Sequence, residues 1–130
     1  MKAKRVLIID DDAGLTTLFR TILESAPGFV VQVENDAATA LATARTFSPH
    51  LIFLDCRLPS TSGLTVATAL RSGPVLGGVP IVFVTGELVR FGGTGCWFLN
   101  DCPVLPKPFS VDELWRMTCA DLGRDVQIAA

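Results

Sequence analysis

Three runs of four large apolar residues each stop on a polar side chain: Val6-Leu7-Ile8-Ile9 before Asp10, Leu51-Ile52-Phe53-Leu54 before Asp55, and Ile81-Val82-Phe83-Val84 before Thr85. Short continuous apolar runs bounded by polar residues predict strands buried on both faces of a parallel sheet. Between them the spacing becomes helical. Leu15, Leu18, Phe19, Ile22, Leu23 and Ala26 fall on one face of a first helix that Pro27-Gly28 ends. Val30-Val31-Gln32-Val33 predicts a shorter strand, and Asp36 is placed to cap a second helix whose packing face carries Ala37, Ala40, Leu41, Ala44 and Phe47. A third helix is expected from about Gly63 to Ser72, followed by a flexible approach through Gly73-Pro74 and Gly77-Gly78.

The pattern weakens from Gly86 to Pro103. A helix is needed there to cross the sheet, but Gly92, Gly93 and Gly95 each lower helix propensity by about 1 kcal/mol relative to alanine, which predicts a short or frayed segment. Val104-Leu105, between Pro103 and Pro106, predicts a brief edge strand. Ser110 and Glu113 have the spacing of a capping box, opening a last helix whose buried face is Val111, Leu114, Trp115, Thr118, Cys119 and Leu122. Five strands joined by right-handed crossovers make a doubly wound α/β fold with helices on both faces. Asp10, Asp55 and Thr85 then share the edge where such sheets place their ligands.

Composition adds bounds. With 130 residues, 49% of them hydrophobic, the chain suits a single domain over 1–130 with its core at about 4–122. No apolar run approaches a membrane span, and Met1-Lys2-Ala3-Lys4-Arg5 leads directly into a strand, so a cytoplasmic protein without membrane contact is expected. A net charge of −2 argues against direct nucleic-acid binding. Cys56, Cys96, Cys102 and Cys119 have no CxxC spacing and are read as buried reduced thiols; His50, in a Ser-Pro-His turn, is given no chemical role.

The strand-end carboxylates carry the chemistry. Asp10, Asp11 and Asp12 brought near Asp55 would repel one another and tend to protonate unless a cation neutralised them. An all-oxygen donor set suits a hard ion, Mg²⁺ foremost, which takes one or two carboxylates and bridges to a phosphate oxygen. A carboxylate beside such an ion can act as a nucleophile toward phosphorus. Lys107 and Thr85 are available to hold two phosphoryl oxygens.

In Ile8-Ile9-Asp10-Asp11-Asp12, Leu54-Asp55-Cys56-Arg57-Leu58-Pro59 with Gly63, Val84-Thr85-Gly86 and Lys107-Pro108-Phe109, the chain resembles the receiver domain of two-component response regulators. The separations of 45, 30 and 22 residues from Asp10 to Asp55, Thr85 and Lys107 in turn fit that family's pattern, and the likeness runs from Lys4 to Leu122. It implies the flavodoxin-like strand order 2-1-3-4-5. It further implies Asp55 as phosphoacceptor, Asp10 and Asp11 as magnesium ligands with Asp55 and the Arg57 backbone carbonyl, Thr85 as switch hydroxyl, and Lys107, before a cis Pro108, as phosphate partner. Asp12 lies outside the family's pair and is read as a cap or dipole partner of the first helix. Arg57 and Glu87, each two residues past a site residue, are expected to pair over the site and hinder water.

The partners implied are a sensor histidine kinase or histidine phosphotransfer protein and a downstream protein whose identity the sequence does not give. The role is signalling, not enzymatic turnover. One departure stands out: Val104 occupies a position where the family often has an aromatic that moves with the switch hydroxyl. Val104 is too short and stiff for that movement. Switching is instead expected in the fourth-helix segment with Trp97 and Phe98 as moving surface, although a core role for both is the simpler reading. The alternative function is a receiver-fold interaction module not switched by phosphate. A phosphatase of similar fold would need a general acid near Asp55, which neither Cys56 nor Arg57 supplies.

Overall fold

The computed structural model describes residues 3–86, 98–99 and 102–122. In chain order the elements are β1 (Lys4–Ile9), α1 (Ala13–Glu24), β2 (Phe29–Glu34), α2 (Ala37–Phe47), β3 (Leu51–Asp55), α3 (Gly63–Arg71), β4 (Ile81–Thr85), β5 (Phe98–Leu99), β6 (Cys102–Pro106) and α4 (Val111–Leu122). The sheet order is β2-β1-β3-β4-β6-β5. Its first five strands are parallel and reproduce the predicted 2-1-3-4-5 order.

The continuous apolar tetrads are explained by burial on two sides. In β1, Val6 and Ile8 join Phe19, Leu23, Phe53, Leu114 and Trp115 in the core beneath α1 and α4. Leu7 and Ile9 point the other way, into the core with Ala40, Ala44, Leu70 and Phe83 beneath α2 and α3. Strand alternation thus feeds two cores, each of which needs large side chains. The alanines of α2, fully buried at positions 40 and 44, let that helix lie close to the sheet.

Helix starts follow the expected capping chemistry. Asp12 accepts from Leu15 N at 3.1 Å and Asp36 from Ala38 N at 2.9 Å. Ser110 and Glu113 exchange bonds of 3.0 and 3.1 Å, closing the capping box that opens α4.

Several expectations need correction. The predicted edge strand at Val104-Leu105 is a five-residue strand, and β5 covers its outer side through antiparallel pairs Phe98↔Pro103 and Leu99↔Cys102. A two-residue strand has no periodicity of its own to read. Leu18 and Val111, assigned to buried helix faces, are 49% and 52% exposed. Leu18 lies at the margin of the α1 stripe, whose opposite flank is taken by buried Thr16, and Val111 sits in the first turn of α4. Of the cysteines, Cys102 is buried and accepts from Arg71 Nη2 at 2.6 Å, but Cys56 and Cys119 are half-buried. The expected fourth-helix segment, with Glu87, Cys96 and Trp97, lies outside the described residues, and so does the side chain of Phe98.

Candidate functional site

Parallel pairing brings the ends of β1, β3 and β4 to one edge. Ile9 pairs with Leu54, so Asp10 follows one strand where Asp55 closes the next, and Asp55 pairs with Val84, which places Thr85 one residue beyond. Asp10, Asp55 and Thr85 are buried at 2%, 6% and 4% exposure. Asp11 is exposed. One carboxylate oxygen from each of Asp10, Asp11 and Asp55 lies within 4.8 Å of the others. Asp12 turns away to cap α1, as the sequence suggested.

Lys107 reaches the cluster from the end of β6. Its Nζ stands 3.0 Å from Asp10 Oδ2 and 3.7 Å from Asp55 Oδ1. The Lys107 backbone N–H donates to Thr85 O at 2.7 Å, and the Lys107-Pro108 peptide is cis. Asp10 Oδ1 accepts from Asp12 N at 2.9 Å, and Asp55 Oδ1 accepts from Arg57 N at 3.1 Å.

Burial pushes the Asp55 carboxyl up to about 6; the Arg57 N–H opposes this, the charge of Asp10 adds to it, Lys107 opposes, and Asp11 adds again. Three carboxylates facing one ammonium leave an excess of negative charge at a recessed edge. That donor set, all oxygen and undercompensated, fits a hard divalent cation such as Mg²⁺.

A family profile described as "Response regulator receiver domain" matches residues 6–118. The chain belongs to the response regulator receiver family. The DNA-binding response regulator MtrA of Mycolicibacterium paratuberculosis is 38% identical over 84 residues, 65% of this chain and 36% of that protein. The chain thus spans about a third of the length of MtrA. The polar-differentiation response regulator DivK of Brucella anthropi is 31% identical over 127 residues, covering 92% of this chain and 97% of DivK. Among solved structures, the receiver domain of sensor histidine kinase PA1611 from Pseudomonas aeruginosa, with a magnesium ion in its active-site cleft, aligns with a TM-score of 0.77 and 26% identity, covering 94% of this chain and 99% of that domain.

Two residues hold this receiver's site in ways the sequence does not show. Gly63 opens α3 with its N–H donating to Cys56 O at 2.9 Å, and a Cβ there would collide with the Asp55 carbonyl oxygen and Cys56 Cα. Its fixed place after Leu-Pro was visible, but the close approach of backbones was not. Asn35, between Glu34 and Asp36, is given no role by the sequence pattern, yet its Nδ2 donates to Asp10 O at 2.7 Å. Val104 is buried at 6% exposure and pairs with Phe83 inside the sheet. Among the described residues no helix is long and apolar enough to cross a membrane.

Proposed function

We propose that this receiver accepts a phosphoryl group on Asp55 from a histidine kinase or histidine phosphotransfer protein and thereby alters a protein-binding surface. The observation that carries this reading is the gathering of Asp10, Asp11 and Asp55 within 4.8 Å, with Lys107 Nζ reaching two of them. An Asp55 carboxylate oxygen attacks phosphorus as the P–N bond to the donor imidazole breaks, leaving an acyl phosphate and a neutral histidine once the imidazole takes up a proton. Asp10, Asp11, Asp55 and the Arg57 carbonyl would hold Mg²⁺, which supplies charge neutralisation for the transferred group.

Lys107 moves its ammonium from Asp55 to a phosphoryl oxygen, a shift its 3.7 Å separation allows with little rearrangement. Thr85, buried at the neighbouring strand end, offers its hydroxyl to another oxygen. The raised Asp55 pKa fits this role: bound cation favours the charged nucleophile, coupling uptake to magnesium. Residues 4–122 make up one receiver unit acting in the cytoplasm.

The test is incubation with acetyl phosphate and Mg²⁺, read by intact mass. A magnesium-dependent gain of one phosphoryl group, absent in Asp55→Asn, is expected. No gain from acetyl phosphate or from phosphorylated histidine phosphotransfer proteins, with the fold intact by circular dichroism, would leave an unswitched interaction module.

A further inference from the structure

The main chain that carries the acidic pair is clamped by a side chain from another connection. Asn35, just past β2, donates from Nδ2 to Asp10 O at 2.7 Å and to Thr16 Oγ1 at 3.2 Å. Thr16, 2% exposed, passes its own hydroxyl hydrogen to Ala13 O at 3.1 Å. The direction of this chain follows from the groups: a carbonyl only accepts, and a hydroxyl already donating to Ala13 can accept from Asn35. Both amide hydrogens of Asn35 are therefore committed. Asp10 N also donates to Glu34 O at 3.1 Å, so the strand end that carries Asn35 grips Asp10 on both its amide and its carbonyl.

Asp10 O lies in the peptide plane that joins Asp10 to Asp11, so fixing that oxygen fixes the plane from which both residues project. The two carboxylates depend on this unequally. Asp10 is held at its side chain by Asp12 N at 2.9 Å and Lys107 Nζ at 3.0 Å. Asp11 is exposed, and its backbone sets the direction of its Cα–Cβ bond.

We infer that Asn35, backed by Thr16, is a positioning residue for the divalent cation, acting through the Asp10–Asp11 peptide. This rests on the reading of Asp10 and Asp11 as cation ligands given above. Mg²⁺ demands near-ideal ligand placement. Residues that orient metal ligands without touching the metal commonly govern its affinity by about 10- to 100-fold. Asn35 is suited to that task, because it adds no charge to the crowded edge and contacts the acidic pair only at a backbone oxygen.

The test is calorimetric titration with MgCl₂ alone, at a temperature where circular dichroism shows each protein folded. Asn35→Ala weakens Mg²⁺ binding by about tenfold. Thr16→Val, of nearly the same shape, leaves one Asn35 N–H without its acceptor and weakens binding by a smaller factor. A purely structural role would lower the melting temperature while leaving the affinity of the folded protein alone, so wild-type affinity in folded Asn35→Ala overturns the inference. Should Asn35→Ala fail to fold, unchanged affinity in Thr16→Val overturns it equally. A wild-type protein that takes up no Mg²⁺ overturns the cation-site reading itself, and the positioning role with it.

Discussion

Lys107 Nζ donates to Asp10 Oδ2 at 3.0 Å across 97 residues of sequence, joining the end of β6 to the end of β1. The lysine offsets one of the three carboxylate charges gathered at this edge, and under the proposed function a divalent cation draws on the same pool of negative charge. Lys107→Met should therefore separate their roles. Mg²⁺ binding stays or tightens by up to about tenfold, because the competing ammonium is gone and charges a few ångströms apart interact by kilocalories even when screened. Phosphoryl uptake falls on the order of 100-fold through loss of a donor aimed at the transferring group. Calorimetry with MgCl₂ and the initial rate of mass gain from acetyl phosphate report the two effects. Equal loss of both would mean that Lys107 only holds the edge together.

Gly63→Ala forces a methyl against the Asp55 carbonyl oxygen and Cys56 Cα, both backbone atoms that yield only if β3 or α3 moves. Overpacking of this kind costs about 1–3 kcal/mol. Because the displaced atoms belong to the backbone of Asp55 and its neighbour Cys56, uptake of phosphate should fall even where the variant is fully folded. Denaturant melts and phosphorylation rates measured on the same sample decide this. A stability loss with a normal rate would place the strain in α3 alone.

The fold was legible because its central strands are buried on both faces, which leaves no room for polar alternation in Val6–Ile9, Leu51–Leu54 or Ile81–Val84. The caps at Asp12, Asp36 and Ser110 were legible for an equally local reason: the side chain that ends each connection bonds to a backbone N–H two or three residues on. What escaped was non-local. The β5 strand exists only as a partner of β6, and the exposure of Leu18 depends on where α1 comes to rest on the sheet. Asn35 could have been flagged from topology, since β2 ends on the same edge as Asp10 and its next residue must sit near it.

Asp55→Asn should stabilise the metal-free protein at neutral pH. The folded-state pKa is raised from 3.8 to about 6, chiefly by burial, so the charged carboxylate is disfavoured by the fold. For a carboxyl shifted upward the penalty is fully present above about 6 and fades as pH falls toward 3.8, where the folded protein has taken up the proton. In EDTA at pH 7.5 the asparagine variant should melt a few degrees higher, corresponding to a gain of the order of 1 kcal/mol. Near pH 4.5 the difference should shrink. Equal melting temperatures at pH 7.5 would show that Lys107 already compensates the charge.

His50 sets the opposite slope. Arg5 N donates to His50 Nδ1 at 2.9 Å while His50 N donates to Arg5 O at 2.8 Å, extending the β1–β3 ladder by one step just before Val6↔Leu51. A protonated Nδ1 cannot accept that bond. Burial first, then the charges of Arg5 and Lys4, hold the His50 pKa below its ordinary 6.5. The neutral ring is thus the form the fold prefers. Its contribution is fully present above 6.5 and is lost as pH falls below that value, because the unfolded chain takes up the proton first. His50→Ala should cost about 0.5–1 kcal/mol at pH 8, the scale of one part-exposed hydrogen bond, and less at pH 5.5. Urea melts made in an Asp55→Asn background remove the opposing carboxyl titration from the comparison. A difference that is the same at both pH values would mean that the ring contributes packing alone and that the Arg5 bond adds nothing to stability.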